Sequence, residues 1–144
     1  MLQTDDDLRA LFDRTQRIAL VGASKKPERP SNEVMAFLLA SGFEVVPVNP
    51  GFAGEMLMGQ MTYASLSDIP GPIDMVDVFR EKSALPAITD EAIAIGAKSL
   101  WFQLDLVDHD CATRAEAAGL DMVMNRCPAI DIPRLNWHRN THPR

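Results

Sequence analysis

A chain of 144 residues, 47% hydrophobic and 24% charged, has the size of one domain and excludes a disordered polymer; such a chain buries roughly 70% of the surface its unfolded form exposes. Its net charge of −6 argues against a nucleic-acid partner, because phosphate backbones are held by clustered Lys and Arg, and no stretch approaches the ~20 apolar residues of a membrane span. Cys111 and Cys127 stand in no CxxC pair, so neither a disulfide framework nor structural zinc is expected, and the N-terminus lacks the basic-then-apolar order of a secretory signal, which points to the cytoplasm.

Residues from about 4 to 15 read as an N-terminal helix, with an acidic first turn that complements the helix dipole and Leu8, Leu11 and Phe12 facing inward. The first strand, 18–21, breaks on Gly22 and enters a loop, KKPERPSN, that carries Lys25, Lys26 and Arg29. A helix capped by Ser31 or Asn32 follows, burying Val34, Phe37 and Leu38 and stopping at Gly42. The second strand is 44–48. Residues 50–72 are irregular, rich in Gly, Met and Pro, with one helical turn at 65–68, and hang over the carboxyl edge of the sheet.

The third strand, 75–79, leads to a helix capped by Ser83, with Pro86 in its first turn and Leu85, Ile88, Ala92 and Ile95 inward. Strand 100–104, helix 108–118 and strand 121–124 complete the alternation. The core runs from about 17 to 135, and the tail, 136–144, reads as an extended strap within the same single domain. His138 and His142 in that tail share a spacing that binds metal only on a helix, which Pro143 opposes, so no metal is expected.

Near-continuously apolar strands alternating with helices specify an α/β fold, a doubly wound parallel five-stranded sheet with helices on both faces. Such sheets bind ligands outside the carboxyl ends of their strands, where the strand order reverses. A strand ending at glycine before a cationic loop suits a phosphate-bearing nucleotide, since backbone N–H groups and a helix N-terminus can approach the anion. A dinucleotide cofactor fits less well. Positions 22 to 27 read GASKKP, one glycine of the three in G-x-G-x-x-G, and the second strand ends on Val48-Asn49-Pro50 rather than on the acid that holds a ribose hydroxyl.

Five ordered motifs make the reading more specific: VGAS followed by Pro and Arg, PVNP after the second strand, YASLSDIPGPIDMVDVFR, WFQ after the fourth, and RCP near the end. Together, from about Arg17 to Leu135, the chain resembles the small stand-alone CoA-binding proteins, relatives of the CoA-binding domain of the succinyl-CoA synthetase alpha subunit. The resemblance implies a Rossmann-like fold, strand order 3-2-1-4-5, and coenzyme A or an acyl-CoA as the cofactor, with no established reaction. Pro47 pulls the other way, toward an edge strand as in order 2-1-3-4-5, so the family order requires pairing to end before Pro47. Asp105 departs from the family, which commonly has glycine there. Thioester-forming relatives also carry a further domain with a phosphorylatable histidine and a nucleotide-grasp partner. This chain reads as the binding half alone.

On that reading Gly22, Ala23 and Ser24 form the phosphate loop, Arg29 clamps phosphate through its guanidinium fork beside Pro30, and Lys25 and Lys26 are solvated near Glu28. Asn49 and Pro50 offer ribose or adenine an end free of negative charge. Val78, Phe79 and Arg80 flank the adenine or pantetheine, and Gln103 reaches the ligand. Asp77 is read as structural and hydrogen-bonded if buried, Trp101 as core and Cys111 as structural. Cys127 beside Arg126 is a candidate reactive thiol, its alternative being an inert buried residue. The Met-rich MLMGQM is expected to fill core gaps or a dimer contact, with a pliable lid on an acyl chain as the alternative. The expected function is binding of CoA or acyl-CoA without catalysis of its own. Its rivals are an NAD(P)-dependent oxidoreductase and the CoA-binding subunit of a multi-chain acyl-CoA ligase or transferase; a homodimer or a partner enzyme subunit is the expected protein contact.

Overall fold

The structure, a computed structural model, describes residues 1–139. Five parallel strands form the main sheet: β1 (Arg17–Val21), β2 (Glu44–Val48), β5 (Met75–Val78), β6 (Ser99–Phe102) and β7 (Asp121–Val123). A separate antiparallel hairpin, β3 (Met56–Leu57) and β4 (Gln60–Met61), lies in the long connection. The helices are α1 (Asp5–Asp13), α2 (Pro30–Ala40), α3 (Leu85–Ala94), α4 (His109–Ala117) and α5 (Pro128–Arg134). The α/β class, the parallel five-stranded sheet and helices on both faces are as the sequence implied.

The strand order is not. The sheet runs β2-β1-β5-β6-β7, which for the five long strands in chain order is 2-1-3-4-5 rather than 3-2-1-4-5. Pairing also continues through Pro47, opposite Leu20, to Val48. The Pro47 carbonyl accepts from the Tyr63 N–H at 3.0 Å on the outer side of β2. The N and O of one strand residue face the same way, so the N–H that proline lacks would also point outward, where β1 needs no donor. The edge itself is closed by Tyr63, whose carbonyl accepts from Asn49 N–H at 2.9 Å.

Alternation along the strands divides the core in two. Val76, Val78, Leu100 and Phe102 pack beneath α3 and α4, while Leu20, Met75 and Trp101 pack with α1, α2 and α5. On the second face Phe12 stacks on Trp101 at 5.6 Å between centroids and Phe43 on Trp137 at 5.4 Å. Trp137 is therefore docked, its Nε1 donating to Asp13 at 2.8 Å, whereas the rest of the expected strap, 140–144 with His142 and Pro143, lies outside the described residues.

Two helices start where the sequence placed them and two do not. Thr4 caps α1 in a reciprocal capping box with Asp7, and Asp108 caps α4 through the Cys111 N–H. The N-cap of α2 is Arg29, ahead of Pro30 at N1, and neither Ser31 nor Asn32 caps it; the Asn32 amide donates to the Ser24 carbonyl at 2.8 Å instead. Ser83 sits inside a 3₁₀ turn, Lys82–Ala84, that precedes α3. Another 3₁₀ turn, Leu66–Asp68, lies within the helical turn expected there, while α5, with Pro128 at its start and Pro133 inside, had no clear sequence signal. No helix among the described residues is long and apolar enough to cross a membrane.

Candidate functional site

The observed order reverses between β1 and β5, so the loops leaving their carboxyl ends part company and open a crevice. Gly22 stands at that point with φ +92°, and a Cβ there would lie 2.1 Å from the Phe79 carbonyl oxygen at the end of β5. Both the left-handed backbone and this contact demand glycine. Gly22 and Ala23 donate their N–H groups to the Val48 carbonyl at 3.0 and 3.2 Å. The Ser24 hydroxyl accepts from Lys26 N–H at 3.1 Å.

Asn49 holds the loop from the other side. Its amide donates to the Ala23 carbonyl at 2.8 Å and accepts from Gly51 N–H at 2.7 Å, so both ends of the side chain tie the first loop to the turn after β2. The sequence reading had pointed this amide at the ligand.

A cleft of about 890 Å³ opens between these loops. It gathers Gly22, Ala23, Ser24, Arg29, Pro30, Asn49, Phe79, Arg80, Gln103 and Cys127 from five separate stretches of sequence. Pro50 and Val78 do not line it. Val78 is fully buried and turned toward the face covered by α3 and α4, because alternation points it away from the cleft, and Pro50 opens an exposed 3₁₀ turn. The sequence reading missed Ser31 and Val34, three apart on the inner side of α2, and Phe52, Leu104 and Leu106 in loops.

The cations are not equivalent. Lys25 is ion-paired with Glu55, not Glu28, and stands 5.0 Å from the Phe52 ring centroid. Arg80 is forked onto Glu81 at 2.9 and 3.2 Å. The side chains of Lys26 and Arg29 form no hydrogen bond or ion pair among the described residues, and both line the cleft. Leu104, Asp105 and Leu106, from the loop after β6, also line the cleft. Asp105 adopts φ +70°, a left-handed backbone that glycine takes without strain.

Cys127 lines the cleft but is buried, and burial pushes its thiol up rather than down. The cation expected to activate it is turned elsewhere: the Arg126 guanidinium donates to Asp131 at 3.3 Å and to the Gln3 carbonyl at 3.5 Å. Beneath the cleft Asp77 is fully buried, accepts from Gln103 Nε2 at 2.6 Å, and has no partner for Oδ2. Burial pushes its carboxyl up to about 7, against the pull of the Gln103 bond. Among the described residues no cluster of three or more His, Cys, Asp or Glu side chains could hold a metal.

Comparison with known proteins adds an independent line. A family model described as a CoA binding domain matches residues 16–133. An uncharacterized protein of Bacillus subtilis (strain 168), YneT, is 33% identical over 121 residues, covering 84% of this chain and 88% of that protein. A hypothetical protein from Pyrococcus horikoshii OT3 superposes with a TM-score of 0.89 at 41% identity, over 94% of each chain. An acetate–CoA ligase (ADP-forming) II of Archaeoglobus fulgidus is 30% identical over 97 residues, 66% of this chain but 14% of the ligase.

Proposed function

The chain belongs to the CoA-binding domain family, and from that premise we propose that its cleft binds coenzyme A or an acyl-CoA, without catalysis of its own. The observation that carries the reading is the switch-point cleft lined both by Arg29, whose side chain is unpaired among the described residues, and by Asn49, which follows the non-acidic end of β2. An acid there would repel the 3′-phosphate that CoA carries and NAD lacks; an amide does not. The Gly22 and Ala23 N–H groups are taken by the Val48 carbonyl, so the phosphate donors in this lining are the Ser24 hydroxyl, Lys26 and Arg29, while Phe79 and Leu106 offer apolar cover to the uncharged parts of the ligand.

Calorimetry with CoA, 3′-dephospho-CoA, NAD and NADP in one buffer tests this. CoA is expected to bind most tightly, dephospho-CoA more weakly, and NAD not measurably. Binding of NAD with none of CoA at millimolar concentration would overturn the reading. The kinship with an ADP-forming ligase supports a second version, in which the chain serves as the CoA-binding subunit of an assembled ligase. That version predicts thioester formation from a carboxylate, CoA and a nucleoside triphosphate only after a second protein is added.

A further inference from the structure

The buried acid beneath the cleft has a geometry that bears on which groups the site accepts. Asp77 lies on β5 between Leu20 of β1 and Trp101 of β6, on the face covered by α1, α2 and α5. The helices on this face bury Leu8, Leu11 and Phe12 from α1, and Ser31, Val34 and Met35 from α2, none of them ionisable. The ionisable groups from the α5 side are Cys127 and Asp131, and Asp131 is already paired with Arg126 and Arg134 at 3.3 and 3.2 Å. No cation is paired with Asp77 among the described residues. Its one hydrogen bond is the 2.6 Å contact from Gln103 Nε2, and Oδ2 is left without a partner.

An ionised carboxylate only accepts, so the amide group that meets it must be the NH₂. That orientation leaves the Gln103 carbonyl oxygen for the cleft, which Gln103 lines. A protonated Asp77 changes the arrangement. Its O–H, at the oxygen now orphaned, needs an acceptor, and the amide already bonded to the other oxygen carries one in its carbonyl. The two groups then close as an acid–amide pair, and the acceptor is withdrawn from the cleft.

We infer that Asp77 is a positioning residue for Gln103, holding the amide so that its carbonyl accepts from an N–H or O–H of the bound ligand, and withdrawing that acceptor from the ligand when the carboxyl takes up a proton. This rests on the reading of the cleft as a CoA site. The facing group is then an amide or hydroxyl of the pantetheine arm, because Gln103 shares the lining with Leu104, Leu106 and Cys127, and Arg80, which follows the neighbouring strand, is already forked onto Glu81. The elevated carboxyl of Asp77 puts the exchange near neutral pH. By linkage, a ligand that binds the ionised form expels the proton.

The test is calorimetry of CoA and of adenosine 3′,5′-bisphosphate, which lacks the arm, at pH 6 to 8 in buffers of different ionisation enthalpy, for wild type, Asp77→Asn and Gln103→Met. The wild type is expected to bind CoA about threefold to tenfold more tightly at pH 8 than Asp77→Asn's own pH trend allows, the worth of one hydrogen bond. It should also release more protons near pH 7 than Asp77→Asn. Subtracting the Asn variant removes the proton contributed by the ligand's own phosphate. Gln103→Met should lose CoA affinity while keeping that for the bisphosphate.

Identical pH profiles and proton release in wild type and Asp77→Asn, with CoA still bound, would overturn this inference and leave the CoA reading standing. Binding of neither ligand would overturn the CoA reading. In that case the ligand-free protein still decides whether the pair is coupled: the Gln103 side-chain NH₂ resonances should titrate near neutral pH in wild type and stay fixed in Asp77→Asn, and static resonances in both would overturn the coupling.

Discussion

Arg29 and Lys25 stand four residues apart in one cationic loop and have different surroundings. Lys25 has Glu55 for a counter-ion and Phe52 beneath it, so a ligand gains little by meeting a charge already half neutralised. Arg29 has no such partner among the described residues and carries a planar fork suited to phosphate oxygens. Arg29→Ala is therefore expected to weaken CoA by roughly tenfold or more, the cost of a lost charge-assisted contact, and Lys25→Ala by no more than about threefold. Titrations of both variants at one salt concentration check this; equal losses would remove Arg29 from the role of clamp. That the loop would attract an anion was legible in the sequence, but which cation is available depends on Glu55, thirty positions away.

The approach of β1 to β5 is the feature on which the cleft depends. Gly22→Ala combines a left-handed backbone with a Cβ placed 2.1 Å from the Phe79 oxygen, and it is expected to destabilise the fold by about 2–4 kcal/mol, read from urea denaturation. Pro47 carries the complementary lesson. Its preference for an edge strand was a local signal that the structure follows, while the order 3-2-1-4-5 implied by resemblance put a neighbour where none is needed. The hairpin of β3 and β4 and the short α5 left weak traces because two-residue strands and a proline-bearing helix have too few residues to show a period.

Across the molecule as a whole, Asp77 makes stability depend on pH. In the unfolded chain its carboxyl ionises near the usual value of about 4, whereas burial keeps the proton on in the native state up to about 7. Between these values the native state holds a proton that the unfolded state has lost, so this group's contribution to stability falls as pH rises from about 4 to 7 and is level above that. Asp77→Asn keeps the shape and an acceptor for Gln103 without the titration. Its stability relative to wild type, measured by denaturation at pH 5 and pH 8, is expected to be greater at pH 8; no difference between the two would show that the carboxyl ionises normally.

The sequence by itself determined the alternation of strands and helices, the break at Gly22, the cationic loop after it and, through five ordered motifs, kinship with CoA-binding proteins. These are legible because burial and backbone conformation impose patterns on neighbouring residues. Strand order, the pairing of Lys25 with Glu55, the docking of Trp137 against Phe43, and the bond from Gln103 to Asp77 were decided only by the tertiary structure. Each joins residues far apart in the chain, and a partner's identity leaves no local period for the sequence to reveal.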